Sequence, residues 1–403
     1  MSWKVAPLGE LADVQLGKML DQKKNQGEYR RYLGNDNVQW NEFKFDEVKE
    51  MRIKESERVR YGLRRGDLLI CEGGDPGRCA LWMSDEEMYY QKALNRVRVC
   101  DDIDPRYLLY YFLHIGATRE VAQYYTGGAT IKHLPNAALK RVEVRYPELE
   151  TQRRIASILM AYDSLMENNR RQIALLEEAA QRLYKEWFVD LRFPGHENTM
   201  LIGGKPEKWC QTTIDSVCTA VGGGTPSTKN SSYWEGGTVP WVTPSDVTCN
   251  IGFYLPRAER FITEDGLAHS SAKLLPAGTI LMTSRASIGY FAICEFDVCT
   301  NQGFISCIPK LHNSKWWLLL ELKMRVNEMK AVAKGSTFLE IGKTTFRSLS
   351  VTIPDEVTLA RFDELIEQLY RKMVACRKAC DCAREARDRL LPKLMSGEIE
   401  VKG

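Results

Sequence analysis

The side chains of this 403-residue chain that could do chemistry are groups of lysine, arginine, asparagine, glutamine and hydroxyl residues, which would suit phosphate and base edges if the target were a nucleic acid. The first 146 residues offer Lys18, Lys23, Lys24, Arg30 and Arg31, then Arg64, Arg65 and Arg78. Phosphate contacts position a protein on nucleic acid, whereas contacts to base edges specify sequence. Arginine suits guanine and asparagine or glutamine suits adenine in the major groove. Asn35, Asn37, Arg78 and Asn95 are therefore the base-reading candidates of this stretch. Further on, Thr225, Ser227, Thr228, Lys229, Thr243, Ser245, Arg285, Ser287, Asn301 and Gln302 form a second set. Any one of these taken alone reads more readily as a solvated surface side chain. As sets they gather where the two halves of the chain differ most.

Bond-breaking chemistry has no comparable signature. No Asn-Pro-Pro-Tyr or Asp-Pro-Pro-Tyr, as an amino-methyltransferase would carry, occurs anywhere. The glycines at 222–224 lack phosphate-loop spacing. Gly342-Lys343-Thr344 has the end of that motif, but the glycine needed upstream is Thr337. Pro354-Asp355 opens a helical pattern, so the carboxylates after it do not form a nuclease site. Twelve cysteines include no Cys-x-x-Cys pair and five histidines are scattered, which argues against a metal site or a disulfide scaffold. Cys376 and Cys380 fall on a helical apolar stripe and read as small core residues. No cofactor is expected in this chain. A net charge of +3 is too small to announce nucleic acid by itself, so basic patches must be local or lie on a partner. The opening residues have no apolar signal core, and the apolar run Trp316–Leu320 is soon broken by Glu321 and Lys323. A cytoplasmic protein without a membrane partner is expected.

What must position these residues is a scaffold that occurs twice. Trp3 matches Trp209, Leu8 matches Ile214 and Leu11 matches Val217 at an offset of 206 residues. Gly128-Ala129-Thr130 matches Gly335-Ser336-Thr337, and Tyr146-Pro147 matches Ile353-Pro354, at an offset of 207. Strands are expected at Gly66–Ile70 and Arg96–Val99, and a helix from Pro105 to Thr126 ending at Gly127-Gly128. The second copy answers with Gly278–Met282 and a helix from Lys315 to Lys334. Each copy then runs into a long helix. The first carries Ile155, Leu159, Tyr162, Met166, Asn169, Ile173, Leu176, Ala180, Leu183 and Trp187 at steps of four and three. The second carries Phe362, Ile366, Leu369, Met373, Cys376, Cys380, Ala383, Arg387, Leu390 and Leu394, each 207 residues after its counterpart. This is a heptad seam. Forty such residues would span about 60 Å, and neither helix can bury its stripe alone. Each is the other's obvious partner. Asn169 and Arg387 interrupt the apolar seam, either fixing its register or sitting at a solvated edge. Pro194-Gly195 should end the first helix, and Pro392 with Gly397 the second. Arg153-Arg154 and Arg170-Arg171 could face DNA or a partner, or simply water.

The order of these landmarks resembles the specificity subunit of type I restriction-modification systems. The residues that carry it are the Trp-led openings Trp3–Leu11 and Trp209–Val217, and Gly222-Gly223-Gly224-Thr225-Pro226-Ser227. They continue with Pro147–Ala156 at a helix start, Arg182-Leu183 to Phe193-Pro194-Gly195, and Arg389–Leu394. The first copy departs with Leu16-Gly17-Lys18, and Pro354-Asp355 with Phe362-Asp363 is a looser match. The resemblance implies a non-catalytic reader of a bipartite, asymmetric site in double-stranded DNA. Two target-recognition domains would each read one half-site. The two long helices would pair as an antiparallel coiled coil, set the gap between half-sites, and dock two methyltransferase subunits, which restriction subunits then join. S-adenosylmethionine, ATP and magnesium would belong to those partners. An α+β fold is expected, with recognition domains at 1–147 and 208–354, spacer helices at 148–194 and 355–397, and a linker at 195–207. A recognition subunit of a two-component restriction or methylation system, or a coiled-coil scaffold without DNA specificity, is the competing reading.

Overall fold

The computed structural model describes residues 3–21, 25–127 and 132–401. Lys23, Lys24 and the Gly128-Ala129-Thr130 landmark lie outside them. The chain divides into two compact units, Met1–Ser164 with Ala383–Gly403, and Leu165–Cys382.

In the first unit, Ala12–Leu16, Leu94–Val99, Asp67–Cys71 and Cys79–Trp82 form an antiparallel four-stranded sheet in that order. Asp67–Cys71 is buried along its whole length, as a central strand covered on both faces must be. Lys49–Ile53, Glu28–Leu33 and Tyr89–Tyr90 form a three-stranded sheet in which the last pair is parallel. Lys4–Pro7 pairs with Glu143–Tyr146. The helix Pro105–Ala117 buries Tyr107 to Phe112 and Ile115, packed with Leu68, Ile70 and Val97 of the four-stranded sheet.

The second unit repeats these three sheets strand for strand. Cys218–Gly222, Phe304–Pro309, Ile280–Thr283 and Phe291–Ile293 form the four-stranded sheet. Arg260–Ile262, Val239–Val242 and Cys299–Thr300 form the three-stranded one, again with one parallel pair. Cys210–Thr213 pairs with Ser350–Ile353. The expected α+β duplication is therefore present in the hydrogen-bond ladders, not only in residue matches.

Each unit contains part of each long helix, Leu149–Tyr184 and Glu356–Ser396. In the second unit the Cys380 thiol lies 3.4 Å from the Met166 carbonyl oxygen, and that of Cys376 3.7 Å from Gln172 Oε1. The Trp187 and Phe362 rings are 5.5 Å apart. Rising numbers on one helix meet falling numbers on the other, so the segments are antiparallel. In the first unit Ile155, Ala156 and Leu159 share a core with Leu391, Leu394 and Met395. Met166, Ile173, Phe362, Ile366 and Met373 are likewise buried, while Tyr162, Leu176, Leu183, Leu369 and Leu390 are half-buried at the seam's margins.

Several element ends differ from expectation. The helix expected to reach Thr126 stops at Ala117, because Arg119 adopts a left-handed conformation and a 3₁₀ turn follows at Glu120–Tyr124. Its counterpart breaks at Arg325 between Lys315–Met324 and Val326–Val332. The first long helix gives way to a π-turn at Lys185–Val189 before Pro194 is reached. Pro392 does not close the second helix but lies inside it. Proline there removes one backbone donor and crowds the preceding turn. The helix nonetheless continues to Ser396, and the stop is Gly397 at φ +77°. Among the described residues no helix is long and apolar enough to cross a membrane.

Candidate nucleic-acid interface

One edge of the four-stranded sheet collects most of the second set of candidates, and backbone hydrogen bonds explain why. The Gly224 amide donates to Thr300 O at 2.9 Å, tying the glycine-rich loop to the strand end. The Asn301 amide donates to Val242 O at 3.1 Å, bringing in the loop that begins at Thr243. The Ser284 amide donates to Gly303 O and the Ile341 amide to Ser284 O, at 2.8 and 3.0 Å. Four separate loops thus meet at one place.

The first unit makes the same bonds with different residues. The Lys18 amide donates to Tyr90 O, Gln91 to Leu33 O, Glu72 to Ala93 O and Leu134 to Glu72 O, all between 2.7 and 3.1 Å. Gly17 and Gly223 occupy matching positions. A Cβ on Gly17 would stand 2.2 Å from Gln91 O, and one on Gly223 would stand 2.2 Å from Asn301 O. Only glycine permits so close a backbone approach. Leu16-Gly17-Lys18, which looked like a departure from the glycine-rich loop, is therefore its equivalent.

With the backbone shared, the difference lies in side chains. In the second unit Ser227, Thr228, Lys229, Ser245, Arg285 and Gln302 are exposed, with Thr225 Oγ1 donating to Gln302 Oε1 at 2.5 Å. Asn301 and Ser287 are half-buried beside them. Thr243 is also half-buried, and its amide and hydroxyl both donate to Asp246 as the cap of Pro244–Thr248. Its polar groups are engaged in that turn.

The first set is more heavily committed to the fold. Lys18 is 3% exposed, and its ammonium donates to Arg52 O at 2.8 Å and to the Glu57 carboxylate. Burial would raise the Glu57 carboxyl, but hydrogen bonds from Lys18 and the Lys54 amide outweigh it and hold it below its usual range. Asn37 is buried. Its Oδ1 accepts from the Gly34 amide, and its Nδ2 donates to Lys44 O and Glu47 O. It fills the role Asp246 has in the other copy, closing the turn after the parallel strand. Asn95 is fully buried and accepts from Asn136. Three expectations are corrected here. Lys18 as a phosphate contact and Asn37 and Asn95 as base readers do not reach the surface: Lys18 and Asn37 are engaged in these bonds, and Asn95 is fully buried with its Nδ2 left without a hydrogen-bond partner. Asn35 and Arg78 are half-buried together, with Arg78 Nη2 donating to Asn35 O at 2.8 Å. Arg30 pairs with Glu28 and Glu87, and Arg65 makes a two-bonded pair with Asp85. Arg31 and Arg64 are exposed.

The edge also contains residues that sequence reasoning missed. Lys92 is exposed at the position matching Gln302, and Gln91 matches Asn301. The register there is offset by 210 residues rather than 206, so fixed-offset matching passes over them. Lys334, Lys343 and Phe338 are exposed on the second edge. Among the described residues no group of histidine, cysteine, aspartate or glutamate is arranged to hold a metal ion.

The helix pair is fastened to the first unit by two polar knots. Asp163 on the first long helix accepts from Asn41 Nδ2 at 2.7 Å, the Tyr110 hydroxyl at 2.5 Å and Arg387 Nη1 at 2.6 Å. Burial and the adjoining carboxylate push the Tyr110 hydroxyl up, so it stays a donor. Gln152 is completely buried; it accepts from the Asp104 amide and donates to Asp102 O and Pro147 O. In the second copy the matching residues are Tyr370, Ala180 and Leu359, and the knots are replaced by apolar packing. Asn169, the other seam irregularity, is buried and donates to Leu165 O on its own helix. Neither it nor Arg387 sits at a freely solvated edge.

Comparison with known proteins gives a consistent result. The profile for the type I restriction modification DNA specificity domain matches residues 1–178 and again 206–369. A type I restriction enzyme MjaIX specificity subunit from Methanocaldococcus jannaschii is 38% identical over 175 residues, 41% of this chain and 40% of that one. The match therefore spans about two fifths of that relative's length. A HindI specificity subunit from Haemophilus influenzae is 21% identical over 410 residues, covering 85% of this chain and 88% of the relative. The crystal structure of the type I restriction-modification S subunit from M. genitalium matches 98% of this chain and 96% of its own at a TM-score of 0.58 and 17% identity, a likeness of fold.

Proposed function

This chain belongs to the type I restriction modification DNA specificity family, and from that premise we propose that it reads a bipartite, asymmetric DNA site on behalf of partner enzymes. Each recognition domain, 1–147 and 208–354, takes one half-site, and the helices 148–194 and 355–397 set the gap. Two methyltransferase subunits dock on the chain and restriction subunits join through them. Those partners bind S-adenosylmethionine, ATP and magnesium and carry out methylation or cleavage, and the assembly works in the cytoplasm.

The observation that carries this reading is the pair of matching sheet edges, built on the same backbone bonds and bearing different side chains. A shared scaffold with divergent side chains suits reading two different sequences. On the second edge Lys229 and Arg285 suit phosphate or guanine, while Gln302 and Asn301 suit adenine. On the first edge the groups available to DNA are Gln91 and Lys92, with Asn35 and Arg78 at the rim; Arg31 and Arg64 are exposed on the same unit, Arg64 at the other end of the Asp67–Cys71 strand from Glu72. Neutralising phosphates releases counterions, so binding should weaken steeply with salt.

The test is the methylation motif of a host that expresses this chain with its methyltransferase subunit. A two-part motif with a fixed gap is expected. Methylation without such a motif would refute the reading.

A further inference from the structure

The second edge ends in an apolar tip that base-edge recognition does not require. Lys334 and Glu340 pair through two backbone bonds of 2.9 and 2.8 Å, and the residues between them turn outward. Gly335 makes the turn possible: it has φ +142°, and a Cβ there would stand 2.0 Å from Phe338 O. The result leaves Phe338 56% and Leu339 48% exposed. The tip is joined to the reading edge, because Leu339 O accepts from the Ala286 amide at 2.9 Å, next to Arg285. Buried Ile341 anchors its far side.

Cations surround this apolar point. Lys334 and Lys343 are exposed, and Arg285 reaches Glu340 at 3.8 Å. The Lys343 ammonium lies against the glycine-rich loop, 3.1 Å from where a Cβ on Gly222 would be. The partner must therefore be anionic outside and accept an aromatic ring within. Stacked base pairs lined by phosphates have both properties, and apolar side chains do enter base steps and part them. An apolar pocket on a protein would account for the ring but not for the cations.

We propose that Phe338 is a wedge that inserts between adjacent base pairs of the half-site read by the second unit, with Lys334 and Lys343 on the flanking phosphates. Sequence preference at that step would then come from how readily the step opens, without any hydrogen bond to its bases. This inference rests on the DNA-reading function proposed above.

The experiment uses the full chain assembled with its methyltransferase subunit, on duplexes carrying the methylation motif. In these, 2-aminopurine is placed at successive positions of the second half-site other than the methylated base, which the methyltransferase itself takes out of the stack, and its immediate neighbours. Binding should raise fluorescence at one step. Phe338→Ala should abolish the rise and weaken binding by roughly tenfold or more, the loss expected when a base loses an aromatic stacking partner. Phe338→Trp should restore both. Because the side chain is exposed, the thermal midpoint of Phe338→Ala should match that of the wild type. Motif-specific binding with no rise anywhere, or a rise that survives Phe338→Ala, overturns the wedge alone. Loss of methyltransferase assembly in Phe338→Ala with the DNA signal intact also overturns it, making the tip a protein contact. Absence of any motif-specific binding overturns the reading of function itself, and the wedge with it.

Discussion

Gly17 and Gly223 show how much can rest on a missing side chain. Alanine at either position would place a methyl group 2.2 Å from a carbonyl oxygen, with backbone on both sides of the clash. Gly17→Ala and Gly223→Ala should each destabilise by about 1–3 kcal/mol, the usual range for overpacking. Each should impair recognition of its own half-site only, measurable by thermal unfolding and by binding to duplexes altered in one half. The glycine at 223 was visible as part of a run, but the one at 17 stood alone between Leu16 and Lys18. A single glycine carries no signal until the strand beside it is known. Asp104 offers a pH test at the same scale. Burial would raise its carboxyl, but hydrogen bonds from the Arg106 side chain and amide and from the Tyr107 amide outweigh that and lower it. A lowered folded-state pKa means stability that is present above the unfolded value, about 3.9, and is lost as pH falls through the folded value. Asp104→Asn should therefore flatten the acid limb of the unfolding curve while lowering stability at neutral pH.

At the scale of elements, the helices depend on a few polar contacts that a heptad pattern does not reveal. The seam positions could be read directly from the steps of four and three, and most of them are buried. Arg387 could be recognised as an interruption. Its partner Asp163 could not, because it lies off the seam and is joined by Asn41 and Tyr110 from distant parts of the chain. Breaking a partly buried ion pair strands the other charge. With both side chains about one-fifth exposed, Asp163→Ala should destabilise by about 1–3 kcal/mol. Replacing Asp163 and Arg387 together with leucine should recover much of the loss. Chemical denaturation of the single and double variants measures this, and equal losses would rule out the pair as the cause. Helix ends were the least legible feature. Pro392 lies within a helix and Arg119, in a left-handed conformation, ends one, neither of which local propensity predicts.

For the molecule as a whole, the duplication was legible in matched residues and proves to extend to strand order, register and individual backbone bonds. The candidate interface was legible only in part. The second set of polar residues largely reaches the surface, whereas Lys18, Asn37 and Asn95 in the first set hold loops together. Residue type alone cannot separate a side chain that closes a turn from one that waits for a ligand. Under the proposed function the two readers are independent and the helices are a spacer. Inserting four residues into each long helix, about one turn or 6 Å, should lengthen the gap in the methylation motif and leave both half-sites unchanged. The most direct test of that independence is the methylation motif of a chain whose residues 1–146 are replaced by the corresponding domain of another family member. One half-site should change while the other and the gap remain. A motif altered in both halves would contradict the account.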